Sequence, residues 1–131
     1  LINEARSYIY TTAMPPALAA SARAALRRVK EDDWRREHLQ VLIRHFRLGA
    51  SNRGLVLMDS DSPIQPMIIG DSQATLQLAA SLQQQGFLVV AMRQPTVRKG
   101  TARLRITLTA AHDTDQLDAL LDAIAAVTGH V

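Results

Sequence analysis

The spacing of apolar positions changes along the chain, and each change marks an element. Between residues 101 and 110 the spacing is two: Thr101, Arg103, Arg105, Thr107 and Thr109 alternate with Ala102, Leu104, Ile106, Leu108 and Ala110. Successive side chains of a strand point to opposite faces, so this stretch predicts a half-buried strand with one apolar face. The other face carries two arginines flanked by threonines. Guanidinium groups in that setting suit a carboxylate or a phosphate. The same alternation also describes an edge strand whose polar face is solvated.

Helical spacing governs most of the rest. Pro15-Pro16 suits the first turn of a helix, where a missing N–H costs nothing, and Leu18, Ala22, Ala25, Leu26 and Val29 then recur on one stripe. Glu31-Asp32-Asp33 predicts a cap or a kink, with Asp33 capping a second segment that lines up Trp34, Leu39, Leu42, Ile43 and Phe46. Gly49 is expected to close it. Residues 55–58 (LVLM) predict a short strand, DSDSP at 59–63 a turn, and IQPMIIG at 64–70 a buried strand. Pro66 within it favours an edge or strand-start position. Asp71 or Ser72 caps a helix to about residue 85, with Ala74, Leu78, Ala79 and Leu82 inward and Gly86 as its stop. Residues 87–92 (FLVVAM) form an apolar run of strand length. After the alternating strand, Asp113 and Gln116 have capping-box spacing, and Leu117, Leu120, Leu121, Ile124 and Val127 line a last helix that Gly129 stops.

These elements predict an α+β fold: a small, mostly antiparallel sheet with helices on one face, preceded by a long helix. The sheet is expected from residues 55–58, 66–69, 88–92 and 103–108, with helices 72–85 and 113–127 against it. Residues 1–50 read as a connecting segment and long helix, and 51–131 as a small α/β domain. The opening LINEARSYIY has neither a cap nor a turn before it and begins with Leu1, so it reads as the tail of an element that starts upstream.

Composition narrows the chemistry. A chain of 131 residues accommodates one modest core. The absence of cysteine excludes disulfides and thiolate chemistry, which is compatible with a reducing cytoplasmic setting. The net charge is +3, but Arg23, Arg27, Arg28 and Lys30 are followed at once by Glu31, Asp32 and Asp33. Such mixing reads as a solvated face, and without interleaved aromatics no nucleic acid is expected. No apolar run reaches membrane length. The four histidines show no zinc-helix spacing, so no metal is expected, and His112 is placed to bond local backbone. Asp59 and Asp61 read as turn formers. Lys30 and Lys99 are the only lysines, and neither has the apolar surroundings a Schiff-base lysine needs. By its residues alone, the chain holds no complete active site.

Three stretches nevertheless share the wording of one family. Residues 96–112, with Thr96-Val97 and then GTARLRITLTAAH, resemble the C-terminal signature of the α-oxoamine synthases, pyridoxal-phosphate enzymes of the aspartate-aminotransferase fold type (fold type I). YIYTTAMPP at 8–16 and IQPMIIGD at 64–71 resemble two further signatures, in family order. The resemblance implies a pyridoxal 5'-phosphate enzyme whose Schiff-base lysine and main cofactor contacts precede this chain, which would then be inactive alone. It implies that Arg105 and Thr96 bind substrate, and that Thr11 and Thr12 reach the cofactor phosphate across a homodimer. The substrates implied are L-alanine and pimeloyl-CoA or a pimeloyl-carrier protein. Arg98 departs from the proline frequent in the family, which leaves the acyl donor less defined. A glycine-using ligase of the same family, or an α+β interaction module without catalysis, are the alternatives.

Overall fold

Pro15, in an extended conformation, starts helix α1 (Pro16–Glu31). Its carbonyl accepts the N–H groups of Leu18 and Ala19 at 3.0 and 3.3 Å. Arg28 and Lys30 lie in the last turn, where cations favour the negative end of the helix dipole. The interruption expected at Glu31-Asp32-Asp33 falls at Asp32, which caps the C-terminus of α1; Asp33 is the first residue of α2 (Asp33–Asn52) and not its cap. The computed structural model describes Glu4 and residues 12–129; Thr11, most of the first ten residues and His130 lie outside the described residues. The chain divides into two compact units, Leu1–Asp33 and Trp34–Val131. Helix α1, in the first, has no buried residue.

In the second unit, α2 buries Leu42, Ile43, Phe46, Gly49 and Ala50, a single stripe at helical spacing. Residues 34–50, expected to be part of a connecting segment, therefore contribute to the same core as the strands. Gly49 does not end the helix. It faces Leu121, and a Cβ built there would lie 2.7 Å from Leu121 Cδ1. The glycine that ends α2 is Gly54, at φ +70. Leu55 N–H reaches back to Ala50 O at 2.9 Å and Gly54 N–H to Ser51 O at 3.1 Å, the paired bonds of a Schellman cap. Gly49 thus serves close packing, and Gly54 supplies the left-handed turn.

The sheet has three strands, β1 (Ile64–Gly70), β2 (Val90–Met92) and β3 (Ala102–Thr107), in the order β1-β3-β2 with both pairings antiparallel. Helix α3 (Ser72–Gln84) crosses from β1 to β2, a hairpin returns along β3, and α4 (Thr114–Thr128) closes the unit. The caps follow the expected chemistry. Asp71 accepts from Ala74 N–H at 2.8 Å. Asp113 accepts from Gln116 N–H at 2.8 Å, while the Gln116 amide oxygen accepts from Asp113 N–H at 3.2 Å. Pro66 sits in edge strand β1, with its carbonyl turned outward to Met58 N–H at 2.9 Å.

Residues 55–58 do not form the expected fourth strand. Only Leu57 bridges to Met67, and the segment then leaves the sheet. Arg47 draws it toward α2, donating to Met58 O at 3.0 Å and Ser60 O at 3.3 Å. Strand β2 is also shorter than 88–92, and its apolar run is not buried throughout. Val89 is buried, whereas Leu88 is 85% exposed. Leu88 and Val90 share the parity that points away from the helices.

The alternation in β3 holds. Ala102, Leu104 and Ile106 are buried, as is Leu108 just beyond the strand, while Arg105 and Thr107 are exposed. Met67, Leu104 and Ile106 join Phe46, Leu82, Leu121 and Ile124 in one core, so the helices of this unit cover one sheet face. Each fully buried Leu, Ile or Phe contributes roughly 1.5–3 kcal/mol.

Candidate functional site: the open sheet face

The face turned away from the helices follows from the register. Arg105 is flanked by Pro66 on β1 and Val90 on β2; Arg103 lies between Ile68 and Met92; Thr107 faces Ile64. Two guanidinium groups thus rise from the central strand between apolar neighbours. Ile64, Ile68 and Val90 are each 40–48% exposed.

The two arginines are not equivalent. Arg103 Nε donates to Thr101 O at 3.1 Å and Nη2 to Thr101 Oγ1 at 3.3 Å, and Nη1 points to Met58 Sδ at 3.2 Å. Arg105 is exposed, and its side chain has no hydrogen-bond or ion-pair partner among the described residues. An unpaired guanidinium on a rigid central strand can take a carboxylate through two parallel bonds.

Thr96 lies in the β2–β3 loop, exposed, with its N–H bonded to Arg93 O at 2.9 Å. This loop holds the cis Gln94–Pro95 bond and Gly100 at φ +76. Thr101 closes it by donating both N–H (3.1 Å) and Oγ1 (2.8 Å) to Arg98 O. Thr96 and Arg105 therefore belong to one hairpin. Thr12 is exposed ahead of α1 in the first unit, and Thr11 lies outside the described residues. Thr12 offers a hydroxyl apt for a phosphate oxygen. Lys30 and Lys99 are both exposed, so neither has the desolvated setting of a Schiff-base lysine. Among the described residues, Thr12 thus offers a group of the kind a phosphate takes, and neither lysine offers the setting of an aldehyde-binding one.

His112 bonds local backbone as expected, its Nδ1 accepting from Thr109 N–H at 3.1 Å. His45 pairs with Asp118 at 3.0 Å. Among the described residues, no group of three or more metal-ligating side chains occurs. No helix among them is long and apolar enough to cross a membrane. A cleft of about 330 Å³ lies between Phe87, Leu108, His112 and Leu120, but it carries neither arginine of β3.

Two polar networks were not legible beforehand. Fully buried Gln65 donates to Ser60 O (3.0 Å) and Ser62 O (2.7 Å) and accepts from Arg47 Nη1 (2.9 Å). Its signal was an amide in phase with Met67 on the inward side of β1, where burial demands partners. Arg53, just past the end of α2, donates to Asp122 Oδ1 at 2.6 Å and lies 3.5 Å from Asp118. Chiefly through the Asp122 hydrogen bond, its pKa is raised above the ordinary arginine value.

Residues 1–124 match the family Aminotransferase class I and II, and the chain belongs to that family. Within it, the chain is 54% identical over 125 residues to the 8-amino-7-oxononanoate synthase of Pseudomonas putida, covering 95% of this chain and 32% of that protein. The enzyme of the same name from Cellvibrio japonicus is also 54% identical, over 127 residues, with 97% and 32% covered. The chain thus spans about a third of the length of these relatives. The crystal structure of 8-amino-7-oxononanoate synthase from Francisella tularensis superposes with a TM-score of 0.83 at 28% identity, covering 98% of this chain and 38% of that one. Serine palmitoyltransferase from Sphingomonas wittichii gives 0.85 at 26%, with 99% and 34% covered. A serine palmitoyltransferase from S. paucimobilis with a bound PLP-myriocin aldimine gives 0.81 at 26%, covering 96% of this chain and 33% of that one.

Proposed function

We propose that the chain is the C-terminal part, with its small domain at 51–131, of a pyridoxal-phosphate-dependent acyltransferase. The enzyme would be an 8-amino-7-oxononanoate synthase, acting in biotin biosynthesis as a cytoplasmic homodimer. The 54% identity to enzymes of that name across 95% of the chain carries this reading. The unpaired Arg105 agrees with it.

The reaction joins the α-carbon of L-alanine to the carbonyl of a pimeloyl thioester, on CoA or a carrier protein, with loss of CO2 and release of the thiol. Pyridoxal phosphate, when bound, supplies the electron sink for the α-carbanion. This chain's part is to bind and orient. Arg105 takes the alanine carboxylate in a bidentate grip and so fixes the α-carbon. Thr96 lines the substrate site from the β2–β3 loop. Thr11 and Thr12 hold the cofactor phosphate of the partner subunit. The aldehyde-binding lysine would come from the remaining two thirds of such an enzyme.

Two measurements test this. The chain alone, mixed with pyridoxal phosphate and borohydride, should give no saturable adduct at one residue. The full-length enzyme should turn over L-alanine with a pimeloyl thioester. A stoichiometric adduct at Lys30 or Lys99 with turnover would overturn the division of labour. Preference for glycine would assign the chain to a 2-amino-3-ketobutyrate CoA ligase instead. No turnover in any full-length form would leave an interaction module.

A further inference from the structure

Arg103 and Arg105 stand on the same face of β3, two residues and roughly 7 Å apart. They bear the same charge and the same fork of donors, so by chemistry alone a carboxylate would find either. The structure separates them by what lies beside Arg103. Two of its nitrogens go back along the strand to Thr101, which is itself anchored on Arg98 O. The third, Nη1, donates to the thioether of Met58 at 3.2 Å.

Met58 is held from both sides of its backbone. Its N–H bonds Pro66 O at 2.9 Å, and its carbonyl accepts from Arg47 Nη1 at 3.0 Å. Arg47 is in turn fixed by the buried amide of Gln65 at 2.9 Å. The sulfur therefore stands on a framed segment. A thioether is a weak acceptor, so it can bias the position of Arg103 without neutralising it.

We propose that Met58 is a positioning residue that holds Arg103 away from the centre of the open face, leaving Arg105 as the guanidinium that takes the substrate carboxylate. This rests on the reading of Arg105 given above. It also assigns a function to the Arg47–Gln65 network, which keeps the Met58 sulfur beside Arg103.

The experiment is a set of variants of the full-length enzyme. L-Alanine affinity is read from the absorbance of the bound cofactor, and melting temperature is measured alongside. Arg105→Ala should weaken alanine binding at least about tenfold. Adding Met58→Leu, similar in volume but without the acceptor, should free Arg103 and recover about threefold or more of that loss. Adding Arg103→Ala to the pair should abolish the recovery. Met58→Gln in place of Met58→Leu restores an acceptor and should give no recovery, which a merely structural role would not predict. If Arg105→Ala is weak and Met58→Leu restores nothing, or if recovery survives the loss of Arg103, the role of Met58 is wrong while the Arg105 reading stands. Native alanine affinity in Arg105→Ala would overturn that reading itself, and this proposal with it.

Discussion

Arg105→Ala in the full-length enzyme separates binding from folding, because Arg105 has no internal partner to lose. Its side chain is exposed, and no hydrogen bond or ion pair ties that side chain to another described residue. Truncation should therefore change stability by no more than about 0.5 kcal/mol, as for an ordinary surface site. A hydrogen bond to a charged group is worth about 1.5–3 kcal/mol. At about 1.4 kcal/mol per factor of ten, alanine should bind roughly tenfold to a hundredfold more weakly. Arg105→Lys should recover only part of this, since an ammonium cannot reproduce the two-pronged contact. Arg103→Ala should show the opposite pattern: it loses the contacts to Thr101 and Met58, so the melting temperature should fall more than alanine affinity. A titration of L-alanine against cofactor absorbance, with a thermal melt of each variant, reads both quantities. Unchanged alanine affinity in Arg105→Ala, or a fall of several degrees in its melting temperature with affinity intact, would refute the carboxylate role. The second outcome would make Arg105 a structural ion-pair partner of another segment.

Two further outcomes are expected. Gly49→Ala should destabilise the protein by about 1 kcal/mol: overpacking against buried Leu121 costs about 1–3 kcal/mol, which exceeds the gain of roughly 1 kcal/mol from replacing a helical glycine. A raised melting temperature would show that Leu121 moves aside freely. The double variant Thr11→Val, Thr12→Val should weaken pyridoxal phosphate binding in the full-length enzyme, and heterodimers with a lysine-null subunit should show the hydroxyls acting across the dimer. Unaltered cofactor affinity would remove that role.

The sequence by itself determined the elements whose cause is local. Period-two alternation named the buried and open faces of β3, because neighbouring strand residues must point apart. The caps at Asp71 and Asp113, and the stop at Gly86, were legible because a cap is a bond between residues three to five apart. The three signature stretches pointed to a family to which the chain indeed belongs. Tertiary structure decided whatever depends on what lies across a gap. Gly49 and Gly54 both suit a helix end, and only the approach of Leu121 assigns the first to packing and leaves the second to terminate α2. Residues 55–58 have strand composition, but a strand needs a ladder, and Arg47 draws the segment off after one bridge. Leu88 and Val90 belong to an apolar run, yet their parity places them on the uncovered face. Arg103 and Arg105 read alike in the sequence, two cations on one polar stripe. Arg103 alone is tied down, to Thr101 two residues back and to a sulfur 45 residues away in the chain, and no local pattern encodes a contact of that second separation.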